Sequence, residues 1–225
     1  MSYVPKVDGF RAPPVATPIR RPIVVVRRDS HLQTWLKRAF DLGFSTVVLL
    51  PALIVVACVL LAVNPFLNPG PLFYAQKRMG RGCKPFRAYK FRTMDVRPRG
   101  IRGPDDPIEI HRIRPVGNLL RKSRFDELPQ ILNVYRGEMS LIGPRPDYFR
   151  HASRYLHTIP GYRERHAVLP GISGLSQVRH GYAAGHFATR LKTRTDLEYI
   201  RHGCFRLDMW IVWRTMVTVF RMRGA

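Results

Sequence analysis

The sequence predicts an α/β fold, mainly helical with a small sheet element, in which a compact domain is mounted on a proline-broken hydrophobic helix. Three observations carry that expectation. From Leu42 to Val63 there are 22 residues without a charge, enough to reach across a hydrocarbon core as a helix. From Val116 to Tyr135 apolar residues recur with helical spacing at Leu119, Leu120, Leu128, Ile131, Leu132 and Tyr135, which predicts two helices joined near Ser123. Between Leu72 and Met94 short apolar and basic positions alternate around Gly80-Arg81-Gly82, the pattern of a small β-hairpin or extended ribbon.

Taken in order, residues 1–30 mix five prolines with Arg11, Arg20, Arg21, Arg27 and Arg28. Such a composition buries little apolar surface and reads as a flexible basic arm. Residues 31–64 hold the hydrophobic helix, which begins too far into the chain and lacks the small-residue cleavage site of an ordinary signal peptide. Pro51 falls near its middle, where it removes a helical hydrogen bond and crowds the carbonyl of Val47, so a sharp bend is expected. A spanning helix would put Arg20 to Arg38 and the basic run from Lys77 on opposite sides of a membrane, against the positive-inside rule. A re-entrant helix that turns at Pro51 and returns keeps both on the cytoplasmic face, where anionic lipid attracts them. The alternative is a kinked spanning helix whose freed backbone groups are satisfied by Ser45 and Thr46. Residues 65–225 form the remaining domain. Near its end, Met209 to Phe220 carries Trp210 and Trp213 and reads either as an interfacial helix or as a core helix.

The 225 residues, 45% hydrophobic and 24% charged, suffice for one domain with a core of its own. Lys and Arg number 38 against 15 Asp and Glu, a net charge of +23, which predicts attraction to nucleic acid, anionic lipid or phosphorylated small molecules. The uncharged helix argues against a nucleic-acid partner. Cys58, Cys83 and Cys204 are odd in number and lack C-x-x-C spacing, so they indicate neither a disulfide framework nor a zinc site and fit a reducing compartment. Between Lys77 and Arg102 ten basic residues accompany one acid, Asp95. Such a density suits a phosphate-facing surface or a stripe lying on lipid head groups.

Two segments carry the chemistry. Asp126 and Glu127 stand side by side within Arg121-Lys122-Ser123-Arg124-Phe125-Asp126-Glu127-Leu128-Pro129-Gln130. Adjacent acids on a helix do not share a face, so the two can do different jobs. A structural reading also holds at this point, because Ser123 and Asp126 have the spacing of a capping box. Downstream, Arg145 lies between Pro144 and Pro146, and a guanidinium presented so rigidly suits a phosphate or carboxylate clamp.

These blocks together resemble the bacterial sugar transferase family, the monotopic polyprenyl-phosphate phosphoglycosyl transferases. The resemblance, from about Lys37 onward, is to the short, catalytic-only form. It rests on Lys37-Arg38-Ala39-Phe40-Asp41, Pro69-Gly70-Pro71, Lys90-Phe91-Arg92-Thr93-Met94, Phe125 to Gln130, Met139 to Pro146, and Pro170-Gly171-Ile172-Ser173-Gly174-Leu175. It implies an enzyme at the cytoplasmic face of the bacterial inner membrane that initiates exopolysaccharide or glycoconjugate synthesis. A sugar 1-phosphate would pass from a nucleotide diphosphate sugar, with uridine expected, to polyprenyl (undecaprenyl) phosphate. Asp126 would be the nucleophile, forming a covalent aspartyl phosphosugar, and Glu127 would assist by orienting a metal or accepting a proton. Arg121, Arg145, Lys90 and Arg92 would bind substrate phosphates, and Mg²⁺ would be held by Asp126 and phosphate oxygens. Asp196 and Tyr199 would touch substrate or support the site. Arg179 and His180 stand where the family varies and mark a sugar-facing area.

The implied partners are nucleotide diphosphate sugar, polyprenyl phosphate and anionic membrane lipid, with a second copy of the chain as a further candidate. A non-catalytic membrane scaffold of a polysaccharide assembly complex is the rival reading. A glycosyltransferase that moves the sugar without its phosphate is disfavoured, because the chain has no D-x-D motif.

Overall fold

The computed structural model describes residues 31–95, 109–181 and 186–222. The basic arm over 1–30 lies outside the described residues. Helix α1 (His31–Phe44) runs through a π turn (Ser45–Leu49) into α2 (Leu50–Leu67). Helical backbone continues from Leu32 to Leu67, with the π turn lying just before Pro51. Its wider bonds, such as Leu50 N–H to Ser45 O, shift the pairing by one residue, and proline and π turns are the usual places for a helix to bend. Thr46 adds support, its hydroxyl donating to Leu42 O at 2.9 Å and lying 3.0 Å from the Tyr135 hydroxyl.

The 36 residues of this helix amount to about 54 Å of helix axis at the usual rise, more than a single crossing of a hydrocarbon core of about 30 Å needs. Yet both ends are tied to one body. In α1, Lys37 pairs with Asp208 at 2.6 Å and Asp41 accepts the Leu141 N–H at 3.2 Å. Along α2, Leu53, Val56, Ala57 and Leu60 pack on Phe91 and Leu120, while Val47, Ile54, Val55, Val59 and Leu61 point outward and are exposed.

The hairpin predicted after the helix is present. Strands β1 (Phe73–Met79) and β2 (Pro85–Phe91) pair antiparallel from Phe73 opposite Phe91 to Met79 opposite Pro85. The chain continues through α3 (Pro115–Ser123), a 3₁₀ stretch (Phe125–Gln130), α4 (Ile131–Tyr135), β3 (Ser140–Ile142), α5 (Phe149–Thr158) and β4 (Gly171–Ser173). Three helices close the fold: α6 (Leu175–His180), α7 (His186–His202) and α8 (Phe205–Phe220). In α8 both readings hold in part, because Ile211 is buried in the core while Trp213 is 67% exposed.

Strands β3 and β4 make a parallel pair, Ser140 with Gly171 and Ile142 with Ser173, at the centre of a core of Leu141, Ile142, Leu175, Leu197, Tyr199, Ile200 and Ile211. Backbones here approach so closely that a Cβ on Gly143 would lie 2.5 Å from Leu169 O, and one on Gly171 would fall on Gly143 N. Only glycine fits. Gly171→Ala should destabilise the protein by about 1–3 kcal/mol through overpacking. Gly43→Ala, where a new Cβ meets nothing within 4 Å, should stabilise α1 by up to about 1 kcal/mol. Thermal unfolding of the two variants in detergent checks the opposite signs.

Candidate active site

The two adjacent carboxylates owe their position to a reversal of the chain. Helix α3 ends at Ser123, whose hydroxyl folds back on Leu119 O at 2.9 Å and Leu120 O at 3.2 Å, and Arg124 takes a left-handed conformation (φ 58°). Ser123 thus closes one helix rather than capping the next, which removes the capping-box reading. The tight 3₁₀ turn then buries Asp126 and Glu127 side by side.

Their surroundings differ as their adjacency predicted. Arg145 grips Glu127 with both terminal nitrogens, Nη1 donating to Oε2 at 2.9 Å and Nη2 to Oε1, and Lys90 Nζ donates to Oε1 at 2.5 Å. Asp126 holds Lys90 at a longer 3.6 Å. Burial drives the Asp126 carboxyl above its ordinary range, opposed by Lys90 and reinforced by the charge of Glu127. Burial acts on Glu127 too, but Arg145 and Lys90 together outweigh it and hold that group well below the usual carboxylate range. Glu127 is a fixed anion that joins β2 to the loop after β3. Proton acceptance, one of the two roles anticipated for it, does not suit so depressed a group.

Asp126 opens on a cavity of about 250 Å³, with Arg78, Lys90, Arg121, Arg124, Arg145 and Lys192 in its lining. Asp147 is the other carboxylate there, so cations exceed acids. Arg121 Nη1 is closed off from solvent and has no hydrogen-bond partner among the described residues, as a donor aimed at a phosphate oxygen would be. No group of three or more His, Cys, Asp or Glu positioned for a metal occurs among the described residues. Mg²⁺ commonly binds through one or two carboxylates plus substrate phosphates and water. Asp126 fits that manner of binding, and Glu127 does not, since both its oxygens are taken.

Most other candidates fall behind the cavity. Arg92 is a correction: it does not line the cavity. Its guanidinium donates to Pro71 O (2.8 Å), Asn68 Oδ1 (2.9 Å), Met94 O (3.2 Å), Pro69 O (3.1 Å) and Asn68 O, tying the end of α2 to β2. Asp196 is wholly buried and pairs with Arg165 at 2.6 Å, while Tyr199 donates to Asp208 at 2.7 Å, so each stands as support. His180 borders the cavity; Arg179 instead pairs with Glu198 at 2.7 Å.

The sequence did not single out Arg78, Asp147, Arg165 or Lys192. Asp147 takes Lys192 and Arg165 at 2.5 Å each and the Tyr162 hydroxyl at 2.7 Å. Arg165, wholly buried, also donates to Arg145 O at 2.8 Å. A proline-flanked Arg145 with Asp147 two residues on was the one visible cue.

A buried acid beside fixed cations, in a basic cavity on a long apolar helix, defines a class of phosphate-handling protein attached to an apolar element. The profile of the bacterial sugar transferase family matches residues 32–222, and the chain belongs to that family. It is 39% identical over 201 residues to the UDP-N-acetylgalactosamine-undecaprenyl-phosphate N-acetylgalactosaminephosphotransferase of Aeromonas hydrophila, covering 87% of this chain and 46% of that protein. It is 38% identical to the UDP-glucose:undecaprenyl-phosphate glucose-1-phosphate transferase of Escherichia coli (strain K12), covering 87% of this chain and 42% of the relative. The exopolysaccharide production protein PSS of Rhizobium leguminosarum bv. phaseoli is 37% identical, over 81% of this chain and 94% of that one. The chain thus spans under half the length of the first two relatives and nearly all of the third.

A depressed carboxyl contributes stability that is present above its unfolded value, ordinarily 4.5, and lost as pH falls through the folded one. Glu127→Gln should therefore cost about 3 kcal/mol at neutral pH by leaving Arg145 and Lys90 buried without their anion. The gap to wild type should narrow below pH 4.5. Denaturant unfolding at several pH values checks both.

Proposed function

We propose that this chain transfers a sugar 1-phosphate from a uridine diphosphate sugar to polyprenyl phosphate, the first membrane step of exopolysaccharide or glycoconjugate synthesis. The observation that carries the reading is the division between the acids: Glu127 is pinned by two cations, whereas Asp126 faces a basic cavity suited to a diphosphate. Family membership and the printed activities of the relatives support it.

In the first half-reaction an Asp126 oxygen attacks the phosphorus bonded to the sugar. The bond from that phosphorus to the bridging diphosphate oxygen breaks, uridine monophosphate leaves with the electron pair, and an aspartyl sugar phosphate remains. In the second, a polyprenyl phosphate oxygen attacks the same phosphorus, the acyl phosphate bond breaks, and the Asp126 carboxylate is restored as polyprenyl diphosphate sugar departs. Arg121, Lys90 and Arg145 hold phosphate oxygens and stabilise the charge that builds on them. Lys90 also opposes the upward push of burial on the Asp126 carboxyl. When bound, Mg²⁺ supplies neutralisation of the diphosphate charge, with Asp126 as its protein ligand.

The outward apolar side of α1 and α2 supports attachment to a membrane. Because Lys37 and Asn68 bind one body from the two ends of the helix, we read it as re-entrant, entering and leaving by the cytoplasmic face of the inner membrane. The excess of Lys and Arg then meets anionic head groups.

Detergent-purified protein with Mg²⁺, undecaprenyl phosphate and a panel of uridine diphosphate sugars should release uridine monophosphate from one preferred donor. Asp126→Asn should lower that rate by at least about 1,000-fold. Release unchanged in Asp126→Asn would remove that carboxylate as the nucleophile, whereas none from any donor by folded wild type would favour the scaffold reading.

A further inference from the structure

The cavity holds two groups of charges. One surrounds Asp126 and consists of Lys90, Glu127, Arg145 and Arg121. The other centres on Lys192, which answers to Asp147, Arg165 and Asp196 and comes from α7, an element that supplies none of the first group. The Arg145-Pro146-Asp147 segment links the two.

Lys192 is placed differently from the other cations of its group. Arg165 is wholly enclosed, its two terminal nitrogens divided among Asp147, Asp196 and Arg145 O. Lys192 borders the cavity. It donates to Asp147 Oδ1, whereas Arg165 and the Tyr162 hydroxyl both engage Oδ2. A lysine carries three donors on a flexible stem. One donor can swing to a second anion while Arg165 and Tyr162 keep hold of Asp147.

On the reading given under Proposed function, we propose that Lys192 is a phosphate-binding residue, held on Asp147 in the free protein and turning to the phosphate that leaves with the nucleoside. The chemistry asks for such a group. In-line displacement puts the leaving oxygen on the side of phosphorus away from Asp126, and a cation there stabilises the charge it acquires. Lys192 belongs to the set of charges that does not surround Asp126. Its turn toward a phosphate needs no proton transfer.

Binding of uridine monophosphate to the full chain in detergent, measured by titration calorimetry, tests this. Lys192→Met should weaken binding about tenfold or more, the loss expected for one charged hydrogen bond. Because Asp147 Oδ1 then loses its charged donor, the variant's unfolding midpoint is measured alongside. Lys192→Arg, which keeps the charge, should restore most of the affinity. In turnover, Lys192→Met should lower kcat as well as raise KM for the donor, a split that a merely structural lysine would not give once folding is shown intact. If the Met variant melts early, Lys192→Gln, which can still donate to Asp147 without a charge, takes its place. Wild-type affinity in the uncharged variant, with wild type releasing monophosphate normally, overturns the assignment of Lys192 alone. Wild type that neither binds uridine monophosphate nor releases it from any donor overturns the underlying reading with it.

Discussion

The ion triad at Glu127 is the constraint on which the site depends. One carboxylate gathers Lys90 from β2 and Arg145 from the loop after β3, so three distant stretches of chain meet at a buried point. Desolvating three charges is expensive, and the arrangement is tolerable only because both oxygens of Glu127 are engaged by cations. The consequence reaches Asp126. Its neighbour is an anion that stays ionised, its nearest cation is shared, and its own carboxyl is left facing the cavity.

A second buried hub holds the other wall. Arg165 binds Asp147, Asp196 and the carbonyl of Arg145, fixing the Pro144 to Asp147 segment from behind while Glu127 fixes it from the front. Arg92 does the comparable work for the apolar helix, gathering carbonyls just beyond the end of α2 from a position two residues past Lys90 and one past the end of β2. The helix and the cavity are therefore parts of one mechanical unit. The proposed transfer, which brings a soluble diphosphate and a lipid phosphate to one carboxylate, would need that coupling.

Much of this was legible in the sequence, and for definite reasons. The uncharged run, the hairpin around Gly80 to Gly82 and the pair Asp126-Glu127 are local patterns, and local patterns survive in one dimension. Strands β3 and β4 are three residues each, too short for alternation to show, and their cue lies in the contact of Gly143 with Gly171. Arg92 was misread because a basic residue in a basic strand looks like its neighbours. Only the fold shows that Lys90 reaches Glu127 while Arg92 turns back to the helix end. The π turn before Pro51 was not legible, because a shift of one residue in helical pairing leaves no mark in hydropathy. Asp147, Arg165 and Lys192 meet only through α7 and the segment before β4, so no spacing announces them.

The central claim is that Asp126 forms a bond to phosphorus. Wild-type protein given the preferred uridine diphosphate sugar without polyprenyl phosphate should gain the mass of one sugar phosphate, located on the peptide that contains Asp126 and lost when polyprenyl phosphate is added. An unchanged mass under conditions where turnover is measured, or an adduct on a peptide lacking Asp126, would contradict it.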